Sequence, residues 1–158
     1  AITSERIAEL VGVRQGETQW DWRTAVLEDR TSRAVSLVPA ILAQPGISGV
    51  KLVTALGTAL LGLATTRSLY DTGMRGRSLE EAVVKALFRN RPQGLLGYRD
   101  EAALWSRIAG DWPARRIRAA LRAALEADQA LKTTTLSDER GVLTDLVLRL
   151  GVAVAEAA

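Results

Sequence analysis

The sequence predicts an all-α fold, an irregular or orthogonal bundle of about six or seven helices. Apolar residues recur every three to four positions through nearly the whole chain, whereas strand-like alternation of apolar and polar residues is scarce. Apolar residues make up 47% of the chain and are mostly Ala and Leu, which favour helices. The length of 158 residues is enough to bury one such core without disulfides.

The first residues predict a short segment that precedes the main helical domain. A helix is expected over Thr3–Val11, ended by Gly12, and the polar stretch Arg14–Gln19 is typical of a linker. We therefore assign residues 1–19 to the last helix and linker of a preceding domain, and residues 20–158 to one helical domain. The chain does not begin with Met, and we expect it to be a fragment of a longer protein.

Helix-capping residues predict the first helices of the main domain. Asp21 is expected to cap one helix, and Thr31 or Ser32 to open the next. Pro39 lies inside this second helical pattern and is expected to kink or shorten it, because proline lacks the backbone N–H that the helix needs.

The longest predicted helix runs from Ser48 to about Asp71 and is apolar on nearly every side. Such a helix is buried all round, so it is either the centre of the bundle or offers a face to another subunit. Gly57 and Gly62 would let a neighbouring helix approach closely. The apolar run Val50–Ala64 is too short for a membrane span and contains Lys51, so no membrane is expected.

Three more helices follow in the second half of the chain. Ser78 and Glu81 have the spacing of a capping box and are expected to open the first of them. Asp100 is expected to cap the second, and Pro113 suits the first position of the third. Ser137 is expected to cap a final helix.

The four tryptophans are interpreted as core anchors and not as ligand clamps: Trp20, Trp22, Trp105 and Trp112. Their large apolar surfaces usually stabilise a protein by burial. Trp105 shares a helical face with the apolar Ile108, which also favours packing.

The residue types needed for most catalysis are missing. Histidine and cysteine are both absent, which removes the commonest general base, the commonest zinc ligand, nucleophile pairs that depend on His, and disulfides. No glycine-rich phosphate loop occurs, and no two carboxylates are spaced for acid–base work. Asp138 and Glu139 are interpreted as cap residues of the last helix. We predict no catalytic, metal-binding or cofactor-binding residue, no cofactor and no enzymatic activity in this chain.

A basic stripe is the first candidate contact surface. The net charge is +3, and Arg115, Arg118 and Arg122 follow one another at helical spacing, with Arg116 beside them. They either contact a phosphate backbone or an acidic partner, or form the solvated face of an amphipathic helix. No aromatic residues interleave with them, which disfavours a base-stacking surface.

The second candidate is the pair Asp128 and Lys132. Their i, i+4 spacing on one helix predicts an ion pair, which is either a solvated local pair or part of a partner or DNA contact. Lys132 stands at a helix end and is followed by three threonines, a setting that keeps the second interpretation open.

Several sequence blocks follow one another in a distinctive order. They are ITSERIAELVG at residues 2–12, WDWRTAVLEDRTSRAVSLVPAILAQPG at 20–46, the spacing of Leu52 to Gly57, and ALRAALEADQALKTTTLSDERGVLTDLVLRL at 120–150. Together they resemble the delta-subunit family of the bacterial DNA polymerase III clamp loader. The resemblance covers essentially the whole chain, although Tyr70–Arg99 does not match residue by residue.

The resemblance implies a clamp-loader collar domain, preceded by the last helix of the family's middle AAA+-type domain. The collar would join the gamma/tau and delta prime subunits through protein–protein interaction, in the cytoplasm and in DNA replication. It also caps the chamber that receives primer-template DNA, so a weak DNA contact is conceivable. The domain that opens the sliding clamp lies outside this sequence, so we do not expect this fragment to bind the clamp. The parent holoenzyme would be a DNA-directed DNA polymerase.

A second hypothesis belongs to a different class. The chain would then be a small helical DNA-binding or regulatory domain that uses the Arg115–Arg122 stripe. An enzyme that relies on carboxylates alone is the least favoured interpretation, because no acid pair is arranged for it.

Overall fold

The computed structural model describes residues 17–133 and 138–157, with side chains up to Val152. These residues confirm the all-α fold, and the described part contains no strand. The predicted helix over Thr3–Val11 and the predicted cap Ser137 lie outside the described residues. The described residues form seven α-helices, which are α1 (Gln19–Leu27), α2 (Thr31–Leu42), α3 (Gly49–Asp71), α4 (Gly76–Asn90), α5 (Tyr98–Ile108), α6 (Ala114–Thr133) and α7 (Glu139–Ala157). A 3-10 turn at Ala109–Asp111 precedes α6.

The starts of α1 and α3 are fixed by side-chain caps. At α3 the prediction is confirmed, since the hydroxyl of Ser48 accepts a hydrogen bond from the backbone N–H of Lys51. At α1 the cap is Thr18 and not Asp21. The Thr18 hydroxyl accepts from the N–H of Asp21, and the Asp21 carboxylate accepts from the N–H of Thr18 at 2.8 Å. Asp21, which was expected to be the cap, is therefore the second residue of a capping box.

Two other predicted helix caps, Ser78 and Asp100, are wrong by three residues, since the actual caps are Arg75 and Gly97. Helix α4 begins at Gly76, so Ser78 lies in its first turn and donates to the carbonyl of Arg75 instead of capping the helix. Glu81 pairs with Arg77 and not with the backbone at the helix start. Helix α5 begins at Tyr98, which places Asp100 in its first turn, where a carboxylate is favourable beside the free N–H groups.

The predicted positions of the two helix prolines differ slightly from the structure. Helix α2 continues through Pro39 to Leu42, so the proline does not end it. Pro39 lies in the last turn with its ring exposed, where its missing N–H removes only one of the final hydrogen bonds. Pro113 stands one residue before α6, and its carbonyl accepts from the N–H of Ile117.

Helix α3 is the centre of the bundle, as its all-round apolar pattern predicted. It packs against α1, α4, α5, α6 and α7. A Cβ on Gly62 would overlap the indole ring of Trp105 from α5, which confirms the close approach expected at this glycine. The expectation is wrong for Gly57, because a Cβ there would meet open space.

Helix α3 continues well beyond the apolar run at its start. With 23 residues it is long and apolar enough to cross a membrane by length and composition alone. Half of its most apolar window is buried inside the bundle.

Three of the four tryptophans are core anchors, as predicted. Trp22, Trp105 and Trp112 are almost fully buried, and the indole N–H of Trp112 donates to the carbonyl of Leu27 at 2.9 Å. Trp20 differs because its side chain is only half-buried at the start of α1. Its surroundings form part of the candidate site.

Candidate interaction surfaces

The predicted basic stripe is an exposed face of α6. Arg115, Arg118 and Arg122 are all exposed, and none forms a hydrogen bond or ion pair with a described residue. Leu125, which is 56% exposed, extends the same face by one turn. The three guanidinium groups are therefore available to phosphates or carboxylates of a partner.

Arg116 does not belong to this face. It is buried, pairs with the carboxylate of Asp29, and stacks over the ring of Trp112 at 3.6 Å from the ring centroid. Its guanidinium also donates to the carbonyl of Asp111 at 2.9 Å. These contacts attach the start of α6 to the corner between α1 and α2, which is a structural role.

Asp128 and Lys132 form the ion pair that their spacing predicted. The Lys132 Nζ lies 2.7 Å from the Asp128 Oδ2, on one side of α6. Two residues before Asp128, Glu126 pairs with Arg149 of α7 at 2.7 Å. The C-terminal half of α6 therefore has its charges paired, in contrast to Arg115, Arg118 and Arg122 of its first half.

A different surface, which the sequence did not indicate, lies around Trp20 and Leu96. Leu96 is 66% exposed, and together the two side chains form a ridge with a groove on either side. We call it the Trp20–Leu96 ridge. The first groove, of about 810 Å³, lies between α1 and α5, and the second, of about 600 Å³, lies between α1, α3 and the loop over residues 92–96.

The first groove separates two helices that run in the same direction. Arg23 of α1 pairs with Glu101 of α5, and five residues further along α1 Glu28 pairs with Arg107. Trp20, Thr24 and Glu28, at successive turns of α1, line one wall. Arg30, Leu96 and residues of α5 and the first turns of α4 line the rest of the groove: Gly76, Glu80, Asp100, Ala103, Leu104, Ser106 and Arg107.

The polar groups of the first groove are unevenly satisfied. Thr24 is only 5% exposed, and its hydroxyl has no hydrogen-bond partner within the described chain; the hydroxyl of Ser106 is also unpaired there. Glu80 and Asp100 at the rim form no ion pair with a described residue. The groove thus has free carboxylates at its rim, and two unpaired hydroxyls that are closed to solvent in its walls.

The carboxylate of Glu28 is already neutralised. Burial alone would raise the pKa of Glu28, but a hydrogen bond from Arg107 and the charges of Arg30 and Arg107 outweigh burial and hold this pKa below its usual value. Both arginines lie 2.5 Å from the carboxylate. They close one end of the first groove, where two guanidinium groups share one carboxylate.

A buried ion pair lies below the ridge. Arg23 is 3% exposed and Glu101 is fully buried, and Arg23 also donates to the carbonyl of Gly94 at 3.1 Å. Burial lowers the pKa of Arg23 to about 10, so the guanidinium stays charged at neutral pH. Because Gly94 precedes Leu96 by two residues, this pair positions the loop that forms half of the ridge.

The second groove is mostly apolar and follows the outer face of α3. Thr54, Thr58 and Leu61 line it, and Leu61 is 59% exposed. The hydroxyl of Thr58 donates to the carbonyl of Thr54 within the same helix, which leaves its methyl group available for packing. Helix α3 is therefore the central helix of the bundle and also has an exposed apolar face.

The described residues contain no group of three or more His, Cys, Asp or Glu side chains that could hold a metal ion. Two candidate interaction surfaces result, the α6 face and the Trp20–Leu96 ridge with its grooves; the exposed Phe88 and Leu148 lie outside both. In comparisons with known proteins, no family model, no curated protein and no solved structure matches this chain.

Proposed function

We propose that this chain is the C-terminal part of the delta subunit of a bacterial DNA polymerase III clamp loader. In this proposal residues 20–158 are the collar domain and residues 1–19 end a preceding AAA+-type domain. The collar docks to the gamma/tau and delta prime subunits in the cytoplasm, away from membranes, and catalyses no reaction. The ordered sequence blocks that resemble the family support the proposal, and an all-helical fold is compatible with it.

The observation that carries a docking function is the exposed apolar ridge. Leu61 and Leu96 are more than half exposed and lie beside Trp20 along one groove, on a bundle whose other helices bury most of their apolar residues. Contiguous apolar surface of this kind marks interaction sites in soluble proteins. A standard interface of about 800 Å² on each partner would cover the ridge and both grooves.

The test is assembly with the partner subunits. The chain is mixed with gamma and delta prime subunits at micromolar concentration, and the mass of the complex is measured by light scattering after size exclusion. We expect a hetero-oligomer. Replacing Leu61 and Leu96 together by Ser should weaken it roughly 30-fold, the effect of losing about 2 kcal/mol at an interface hot spot.

Leu148 provides the matched control, because it is 49% exposed on α7 and lines neither groove. Leu148→Ser should leave assembly unchanged. Absence of any hetero-oligomer with the unaltered chain would contradict the proposal. Equal weakening by the control and the ridge variants would show that general surface polarity, and not the ridge, governs assembly.

A second candidate function is nucleic-acid binding through the α6 face, and the three unpaired arginines favour it. Binding to primer-template DNA should fall with rising salt, with a log–log slope of up to about −2.7 if all three arginines contact phosphates of a duplex. Changing Arg115, Arg118 and Arg122 to Glu should abolish binding. Affinity that is indifferent to these changes removes this candidate.

A further inference from the structure

We propose that the first groove binds a basic amphipathic helix of a partner chain, with apolar side chains against the Trp20–Leu96 ridge and Lys or Arg side chains at Glu80 and Asp100. The identity of the partner as a neighbouring clamp-loader subunit rests on the proposed function. The chemistry of the bound helix rests only on the groove.

The dimensions of the groove fit a helix. The wall from Trp20 to Glu28 covers two turns of α1, about 12 Å at 1.5 Å per residue. The volume of about 810 Å³ lies between two helices that run side by side and are joined by the Arg23–Glu101 and Glu28–Arg107 pairs. Side chains of a third helix would fill such a space as helices do elsewhere in bundles.

The free charges of the groove select a cationic ligand. Glu80 and Asp100 have no counter-ion among the described residues, whereas the two lining arginines, Arg30 and Arg107, share the carboxylate of Glu28. The three lining carboxylates exceed the two lining arginines by one charge, so the lining is negative on a chain whose net charge is +3. This excess favours Lys or Arg of a partner and opposes nucleic acid or an acidic peptide.

Trp20 allows binding to be measured directly. The other three tryptophans are buried, so Trp20 is the one described tryptophan whose fluorescence a bound helix should change strongly. The probe is a synthetic helical peptide of about 14 residues, four turns, with Leu on one stripe and Arg on both flanks. A second peptide carries Glu in place of each Arg. We expect micromolar affinity for the Arg peptide and none for the Glu peptide.

The variants Glu80→Lys and Asp100→Lys should weaken the Arg peptide by about tenfold or more. Glu80→Gln and Asp100→Asn, which keep the shape, should show a smaller loss in the same direction. Glu81→Lys is the matched control, because Glu81 is on the same helix and outside the groove. It should bind the peptide as the unaltered chain does, and circular dichroism checks that each variant is folded.

The outcomes separate this inference from the proposed function. If gamma and delta prime bind the unaltered chain but the groove variants change neither subunit assembly nor peptide affinity, the inference is wrong and the function stands. If the peptide binds with the expected charge dependence but no subunit complex forms, the function is wrong and the groove assignment stands. Equal affinity for the Arg and Glu peptides overturns the inference. Self-association that the groove variants abolish would assign the groove to a second copy and overturn it as well.

Discussion

Gly57 and Gly62 lie on the same helix, five residues apart, with opposite surroundings. A Cβ at Gly62 would overlap the ring of Trp105, which is fully buried, whereas a Cβ at Gly57 would meet open space. Gly62→Ala should therefore lower the free energy of unfolding by about 1–3 kcal/mol through overpacking. Gly57→Ala should raise it by up to about 1 kcal/mol, because alanine favours a helix over glycine. Urea unfolding of both variants checks this, and a loss at Gly57 would contradict it.

The Arg23–Glu101 pair is the costliest single contact to break. Arg23→Met leaves the carboxylate of Glu101 buried without a counter-charge, and should cost about 3–5 kcal/mol of unfolding free energy. Arg23→Met combined with Glu101→Leu should regain most of that loss, because two apolar side chains leave no charge buried. Denaturant unfolding of the single and double variants measures both changes in unfolding free energy. A loss below about 1 kcal/mol in the single variant would show that water reaches Glu101.

For single residues, the sequence could identify the helix face on which a side chain lies, but not the residue that it contacts. A helical period alone places Arg115, Arg118 and Arg122 on one side of α6, and the structure confirms that all three are exposed. The same period turns Arg116 away from them. Its partner Asp29 is 87 residues distant in the chain, so no local pattern could reveal the pair.

At the scale of helices, the capping box of α1 should contribute measurably to stability. Thr18→Ala removes the hydroxyl that accepts from the N–H of Asp21, and should cost about 1 kcal/mol. Ser78→Ala is the matched control, since Ser78 lies inside the first turn of α4 and caps nothing. It should change stability by less than about 0.5 kcal/mol. Thermal unfolding compares the two, and equal losses would mean that the Thr18 cap does not stabilise α1.

The contact between the ends of α1 and α5 should depend on pH. The pKa of Glu28 is below its usual value in the folded chain, so its contribution to stability is present above the unfolded pKa and lost as pH falls through the folded pKa. Glu28→Gln should therefore be less stable than the unaltered chain at about pH 7, and the difference should shrink towards about pH 3. Urea unfolding across this range measures it. A constant difference would show that the charge of Glu28 is not involved.

The sequence predicted which segments are helical better than the residue at which each helix begins, for a physical reason. The apolar period of α3 runs through 23 residues and has one cap candidate at its start, Ser48, which is the actual cap. At α1, Thr18 and Asp21 are both good cap residues, and only the backbone geometry decides between them. At α4, Gly76 adopts a φ of +54°, which glycine tolerates, and starts the helix ahead of Ser78.

At the scale of the whole molecule, the grooves were beyond prediction because they belong to no single helix. Trp20 and Leu96 are 76 residues apart in the chain and meet only because α1 and the loop before α5 lie together. Local patterns indicate which side chains are apolar. The gap between two helices depends on how all seven pack, and on the buried Arg23–Glu101 pair that joins α1 to α5.

Helix α7 joins the two halves of the bundle, since it packs on α2 and on α6 as well as on α3. Its inner face buries Leu143, Leu146, Val147 and Leu150 almost completely. Burying each of these side chains stabilises the fold by about 1.5–3 kcal/mol. Losing all four would therefore remove a free energy comparable to the whole unfolding free energy of a typical domain, about 5–15 kcal/mol. Deleting the residues from Glu139 onward should therefore abolish cooperative thermal unfolding. Leu146→Ala should cost about 2–5 kcal/mol, and Leu148→Ala, at an exposed position of the same helix, less than about 1 kcal/mol. A truncated chain that still unfolds in one sharp transition would show that α1–α6 form a complete core without α7.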